Sequence, residues 1–258
     1  MPSLLFRTKR STATTASDIH RRIAPRTFSG GRVATFHAIE TPVDGDANGI
    51  YNMSANSFAS HVRALDEARQ RYSYLSILKF GASVSEGVSI TFDDGYATTL
   101  SYAMPLLVKH AMPFHVFVSP ALVESGDPRY LDVHQLKELA QSPGVTIGAH
   151  GYHHVPLSSL SPRRQLEDLS AAKRWLEDLV QQPVATLSYP FGDTPVNIRS
   201  AVQEAGYSLA ACSIWGFNDQ ETDLLMLRRI DCWNGDSQRT TVTKLLGYWN
   251  WIGKGSRS

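Results

Sequence analysis

Two adjacent carboxylates, Asp93 and Asp94, stand at the end of the run Val88-Ser89-Ile90-Thr91-Phe92 and immediately before Gly95. The alternation of Val88, Ile90 and Phe92 predicts a strand, and strand C-termini are where β/α folds build their active sites. Successive residues of a strand point to opposite sides. The two carboxylates can therefore take different roles only if the chain bends, which Gly95 permits. One could hold a metal while the other moves protons. Read alone, the same residues equally make an Asx turn capping a helix that starts near Tyr96.

A second apolar run, Val145 to Ala149, leads into His150-Gly151-Tyr152-His153-His154. His150 and His154 are four apart, a spacing that stacks two rings on a helix face and can also converge them in a tight turn. Neutral imidazole is the commonest protein ligand for zinc-like metals. One carboxylate with two imidazoles leaves coordination positions open for water and substrate, as in a catalytic rather than a structural site. A lone histidine pair reads more simply as imidazoles bonded to backbone. Two strand ends, one carrying two aspartates and the other the histidines, favour the metal site.

With these residues in hand, the chain resembles a known family. Thr91-Phe92-Asp93-Asp94-Gly95, then His150 to His154, then Tyr189-Pro190-Phe191-Gly192 followed by Ala205-Gly206-Tyr207, are similar to the ordered motifs of the polysaccharide deacetylases, carbohydrate esterase family four. The resemblance runs from Arg32 to Trp233. It implies Asp93 as general base and Asp94, His150 and His154 as ligands of a divalent metal. Zinc is the first expectation for that metal, with cobalt, nickel or iron as other ions such a site accepts. It also implies that Tyr189, Pro190, Phe191 and Gly192 form a substrate-binding groove wall. His153 has no role in that pattern and is read as a neighbour that bonds backbone or substrate.

Amide hydrolysis also needs a proton for the leaving nitrogen, and here the chain departs from the common family pattern. The late segment Leu227-Arg228-Arg229-Ile230-Asp231 has no histidine, and Ser188 stands where an orienting arginine is usual. Both departures resemble a subgroup, the biofilm poly-N-acetylglucosamine deacetylases, whose catalytic histidine lies on the first strand. That implies His37, at the end of Val33-Ala34-Thr35-Phe36, as general acid, with Asp231 or Asp193 as its partner. The bland reading of His37 is a satisfied strand-end histidine. Arg229 aligns with a subgroup arginine, to serve substrate binding or to orient Asp93, or else to make a structural ion pair.

The elements that must position these groups follow from hydrophobic period. From Arg32 onward short apolar strands alternate with helical patterns, without internal repeats. Helices are expected over Ser57–Arg71, with Phe58, Val62 and Leu65 on one face, over Ala97–Lys109, near Val196–Ala205 and over Gln238–Trp249. A long helix opens at Ser161-Pro162, with Leu166, Leu169, Leu176 and Val180 as its buried stripe. Beyond those named above, strands are expected at Tyr74–Leu78, Phe114–Val118, Leu187–Tyr189, Ser208–Ala211 and Leu227–Ile230. Such alternation makes an α/β fold with parallel strands and outer helices. The resemblance sharpens it to an irregular, incompletely closed (β/α)7 barrel in a single domain, residues 32–258. Residues 1–31 read as a flexible basic tail.

The 258 residues suffice for one β/α barrel. A formal net charge of +1 argues against nucleic acid as a partner, and no run of eighteen apolar residues spans a membrane. No protein partner is inferable. Cys212 and Cys232 read as buried free thiols, or as neighbours close enough to bond. Without a visible export signal the expected location is cytoplasmic; the alternative is an exported protein with a misassigned start. Tyr96, Tyr152, Tyr189, Phe191, Trp215 and Trp233 lie near strand ends, and one or two of them are expected to stack on sugar.

The expected activity is metal-dependent hydrolysis of the N-acetyl group of an amino sugar in a polysaccharide, oligosaccharide or glycan precursor, a carbon–nitrogen bond other than a peptide bond. The alternatives are an O-deacetylase or other small-amide hydrolase on the same site, and a catalytically silent carbohydrate-binding relative.

Overall fold

A computed structural model describes residues 11–17, 29–46 and 49–251. The tail expected over residues 1–31 falls largely outside the described residues. Within it, residues 11–17 are helical (α1), and Ser17 Oγ donates to the Tyr248 carbonyl at 3.1 Å.

Seven strands form the barrel: β1 (Arg32–Phe36), β4 (Val88–Phe92), β5 (Phe114–Val118), β6 (Val145–Ala149), β7 (Thr186–Ser188), β8 (Leu209–Trp215) and β9 (Leu227–Asp231). They are hydrogen-bonded in that order, every neighbour parallel. Two short strands, β2 (Ala38–Ile39) and β3 (Asn52–Met53), pair with each other beside the mouth. The helices that follow are α2 (Ala55–Arg71), α3 (Met104–Lys109), α4 (Pro120–Glu124), α5 (Val133–Gln141), α6 (Pro162–Val180), α7 (Ile198–Glu204) and α8 (Gln238–Leu245).

The sequence implied an incompletely closed barrel, and in this respect the structure differs. β9 pairs with β1 at Ala34↔Ile230 and Thr35↔Asp231, and Cys232 N continues the ladder to the Thr35 carbonyl at 3.2 Å. The irregularity lies elsewhere: β6 and β7 share one register pair, Ala149↔Leu187, and β8 slips against β9 between Ala211 and Trp215.

The period of two along each strand divides core from site. Ala34, Phe36, Ile90, Phe92, Phe114, Val116, Ile147 and Leu187 join the cluster under the helices, with Phe58, Val62 and Leu65 of α2 and Leu169 and Leu176 of α6. The alternate residues face the barrel axis. Val33, Phe80, Phe117, Ala211 and Leu227 plug its lower part. Above them the axis turns polar, with Thr35, Thr91, Asp93, Ser188 and Arg229 all buried. Gly148 is required on this inner side, because a Cβ there would lie 2.5 Å from both His115 Nε2 and Thr186 Oγ1.

Several elements differ from expectation for local reasons. Tyr74–Leu78 is not a strand but a 3₁₀ turn, Ser73–Leu75, followed by a single bridge, Ile77↔Val88. β1 takes one edge of β4 and β5 the other from Ile90 onward, leaving only Val88 to pair with this segment. The helix expected from Ala97 opens as a wide π turn, Thr99–Ala103, before α3. Pro105 has no N–H with which to close the ordinary bond to the fourth residue before it. α8 ends at Leu245, short of Trp249, where Gly247 at φ 88° turns the chain. Ser161 does stand at the N-cap of α6, although its hydroxyl makes no capping bond.

Both cysteines are buried free thiols. Among the described residues no helix is long and apolar enough to cross a membrane.

Candidate active site

β4 carries Asp93 straight on from the strand: its N–H donates to the Phe36 carbonyl at 3.0 Å, so its side chain enters the barrel as Thr91 does. The bend expected at Gly95 begins one residue earlier. Asp94 itself is left-handed at φ 70°, followed by Gly95 at φ 78°, whose Cβ would lie 3.2 Å from Val118 Cγ1. Aspartate tolerates this conformation better than most side chains. The kink sends the two neighbouring carboxylates to different partners.

Asp94 Oδ1 lies 3.2 Å from His150 Nε2 and 3.1 Å from His154 Nε2. One ligand atom from each of the three falls within 4.8 Å of the others. His150 directly follows β6, and its Nδ1 bonds the Ser188 carbonyl at 2.8 Å. A carbonyl can only accept, so the ring proton belongs on Nδ1 and the Nε2 lone pair faces Asp94. Two imidazole nitrogens aimed at one carboxylate oxygen require a proton or a cation among them, and the donor set suits a zinc-like ion. Burial alone would raise the Asp94 carboxyl, but with a proton on the facing nitrogens the His150 and His154 rings hold it well below the ordinary value.

The turn between the histidines is tied to α6. Asp168 accepts from Tyr152 N at 2.8 Å, His153 N at 3.2 Å and His153 Nδ1 at 2.6 Å. His153 therefore bonds a carboxylate, while its ring is 65% exposed on the outer side. His154, at φ 52°, is swung inward to pack against Phe191 with ring centroids 4.8 Å apart. Replacing Asp168 by Ala frees this turn and is expected to weaken the affinity of the Asp94, His150 and His154 cluster for an added divalent ion about 10-fold, the lower end of the loss seen on removing an outer-shell partner. Competition against a chromophoric chelator measures it.

Asp93 is gripped from below. Arg229 Nη1 donates to its carboxylate at 2.8 Å, Ser188 Oγ donates at 3.1 Å, and Arg229 Nε is fixed on the Cys212 carbonyl at 2.9 Å. Burial would raise the Asp93 carboxyl, but Arg229, then His150 and His37, outweigh it and keep it below the usual value. Arg229 is 4% exposed and lines the cavity from beneath Asp93. Ser188 escaped the sequence reading as a functional residue, since it appeared only as the site of a missing arginine. Its hydroxyl holds Asp93 and its carbonyl holds His150.

His37 Nε2 stands 3.9 Å from Asp93 Oδ2, and its ring meets Tyr51 edge-on at 4.8 Å. Of its two suggested partners, Asp231 lines the same cavity, and burial raises its carboxyl against the opposing pull of Arg229, His37 and Lys244. Asp193 instead accepts from Ser158 N at 2.6 Å and takes no part in the site.

A cavity of about 440 Å³ opens over these groups, with Tyr51, Tyr96, Tyr130, Phe191 and Trp233 among its walls. Tyr189 and Gly192 also line it. Tyr189 is nearly buried and its hydroxyl donates to the Leu225 carbonyl at 2.9 Å, whereas Phe191 is 64% exposed. Pro190 is buried and is not among the residues lining the cavity. Trp215 packs away from the cavity against Trp249, and the Tyr152 hydroxyl bonds Glu124 at 2.9 Å. Tyr51 and Tyr130 were not singled out from sequence, because both lie in loops rather than at barrel strand ends. A wider cavity of about 630 Å³ lies at the other end of the strands, beside Arg32, Tyr74 and Gly87.

The closed barrel of seven parallel strands, with Asp94, His150 and His154 gathered at its mouth, is the fold of a polysaccharide deacetylase domain. The chain belongs to the polysaccharide deacetylase family, whose model matches residues 82–210. It is 29% identical over 143 residues to YxkH of Bacillus subtilis (strain 168), a protein bearing the name of a polysaccharide deacetylase. That match covers 55% of this chain and 50% of YxkH, so the chain spans about half the length of this curated relative. Among solved structures, the Streptococcus pyogenes deacetylase PplD in complex with acetate superposes with a TM-score of 0.70 at 22% identity, covering 85% of this chain and 99% of PplD. IcaB from Ammonifex degensii superposes with a TM-score of 0.67 at 20% identity, covering 86% and 99% respectively. At these identities the superpositions speak for the fold.

Proposed function

We propose that the protein is a metal-dependent N-deacetylase that hydrolyses the acetamido group of an amino sugar in a glycan. The observation that carries this reading is the convergence of Asp94, His150 and His154 within 4.8 Å, directly beside a carboxylate clamped by Arg229. Asp94, His150 and His154 would hold a divalent ion, zinc by its donor set. When bound, such an ion polarises the amide carbonyl and acidifies water.

The chain's own residues account for the proton traffic. Asp93, kept ionised by Arg229 and Ser188, takes a proton from the attacking water. The C–N bond breaks to give acetate and a free amine, and the amine nitrogen needs a proton as it leaves. His37 is the group placed to give it, reaching the cavity from the end of β1 with Asp231 lining the same space. Tyr51, Phe191 and Trp233 present flat faces for the sugar ring. Arg229 acts by orienting Asp93 rather than by touching substrate.

His37→Ala is expected to lower kcat about 100-fold, the usual worth of one acid–base group, while leaving metal content unchanged. Unchanged kcat would return the acid role to another group. The substrate class is tested by following acetate release from N-acetylated and O-acetylated oligosaccharides side by side. Release from the N-acetylated series supports the proposal, and release confined to the O-acetylated series replaces it with an esterase.

A further inference from the structure

Lys244 lies in the last turn of α8, a position that in sequence reads as an ordinary solvent-facing lysine, yet it is 1% exposed. Its ammonium is fully engaged. Nζ donates to Asp236 Oδ2 at 2.6 Å and to the Asp231 carbonyl at 2.9 Å, and it sits 3.9 Å from the Trp233 ring centroid. Trp249 and Trp215 complete the cage at 5.2 and 5.4 Å. Burying an ammonium is costly, and a well-packed apolar side chain often stabilises such a site as well or better. Core stability alone therefore gives a weak account of this lysine, whereas its two hydrogen bonds and its nearest ring, Trp233, all fall on one segment that reaches the cavity.

That segment is the chain from Asp231 to Asp236. At one end the Asp231 side chain lines the active-site cavity with His37, while its carbonyl is held by Lys244. Next to it Trp233, also on the cavity wall, is fixed at three points. Its N–H donates to Asp236 Oδ2 at 3.0 Å, its carbonyl meets His61 Nε2 at 3.1 Å, and its ring lies against the Lys244 ammonium. Asp236 thus receives both Trp233 N–H and Lys244 Nζ, so the lysine, the carboxylate and the indole form one buried unit.

We propose that Lys244 is a positioning residue for sugar binding: through Asp236 and the indole face it sets Trp233 as a rigid wall against which the substrate ring stacks. This rests on the deacetylase reading above and adds to it the residue that orders the platform. Lys244 itself never touches substrate.

The test is a double-mutant cycle in acetate release from N-acetylglucosamine oligomers. Lys244→Met is expected to raise KM about 5-fold with kcat within about 2-fold, the scale of one aromatic contact. Trp233→Ala is expected to do the same, and the double variant no more than either alone, because both remove one interaction. Lys244→Arg, which keeps the charge and donors, is expected to stay closer to wild type in KM than Lys244→Met. If Lys244→Met does not fold, Asp236→Asn probes the same unit and is expected to raise KM alike. A wild-type KM in the folded variant, or effects of Lys244→Met and Trp233→Ala that multiply, would overturn the proposal and leave the cage a purely structural feature. If the wild type releases no acetate, the deacetylase reading fails separately. Oligomer affinity read by tryptophan fluorescence then carries the same comparison, with non-additive losses supporting the role of Lys244 and additive ones refuting it.

Discussion

The Asp93→Asn protein is expected to bind its divalent ion with wild-type stoichiometry and to release acetate about 10³-fold more slowly than the wild type. The amide matches the carboxylate in shape, its one oxygen can still accept from Arg229, and the Ser188 hydroxyl can turn to accept from the amide NH2, so the architecture of the mouth is preserved. What is lost is the basic oxygen that receives the water proton. A neutral side chain also leaves the Arg229 guanidinium buried without its counter-charge, and breaking such a pair typically costs about 3–5 kcal/mol. The variant should therefore unfold at lower temperature, and turnover must be compared where both proteins are folded. Steady-state kinetics with metal analysis of the same sample separates the two effects. Activity within a few-fold of wild type in a folded, metal-loaded Asp93→Asn protein would remove Asp93 from the role of base.

Asp94→Ala should be at least as damaging by a different route. Asp94 Oδ1 is the point on which both imidazoles converge, and nothing else in the cluster supplies negative charge to a cation. Its removal is expected to abolish stoichiometric zinc binding and to reduce acetate release to background. The loss of the water-acidifying ion alone is worth many orders of magnitude, since bound water ionises near pH 7 and free water near 15.7. The contrast between the neighbours is the informative part. Asp93→Asn keeps metal and loses turnover, Asp94→Ala loses both, and the 70° φ at Asp94 is what lets adjacent residues serve such different ends. Equal metal content in the two variants would contradict the division of labour.

Much of this site was legible in the sequence because its chemistry sits at strand ends, where apolar alternation stops abruptly at polar residues. Asp93, Asp94 and His150 each follow such a run, and the structure brings them together with His154 and His37 at the mouth of one barrel. The groups that support them were less legible. Ser188 acts as much through its carbonyl as through its hydroxyl, and a backbone acceptor leaves no mark in residue type. Lys244 has the spacing of a surface residue, and it is buried by Trp215 at the end of β8 and Trp233 just past β9, together with Trp249 just beyond the helix. The kink at Asp94 was placed on Gly95 because glycine is the residue that most readily adopts left-handed backbone, while the barrel imposes that conformation one position sooner. Closure of β9 on β1 was likewise out of reach, being set by tilt and register rather than by either strand's sequence. One element did carry a readable signal. Asp132 and Gln135 form a capping box, with bonds of 2.8 and 3.0 Å, and that Asp-x-x-Gln spacing marks the start of α5, a helix absent from the sequence expectation.

The central claim is that a divalent ion held by Asp94, His150 and His154 serves hydrolysis of an N-acetylated sugar. Its most direct test is acetate release from N-acetylglucosamine oligomers by the purified protein, before chelation, after it, and after adding back one equivalent of zinc. The expected result is release that falls to background on chelation and returns with zinc, with metal bound one to one. Release unchanged in a protein shown to be stripped of metal would contradict the account, as would a loaded protein that leaves every N-acetylated oligomer intact.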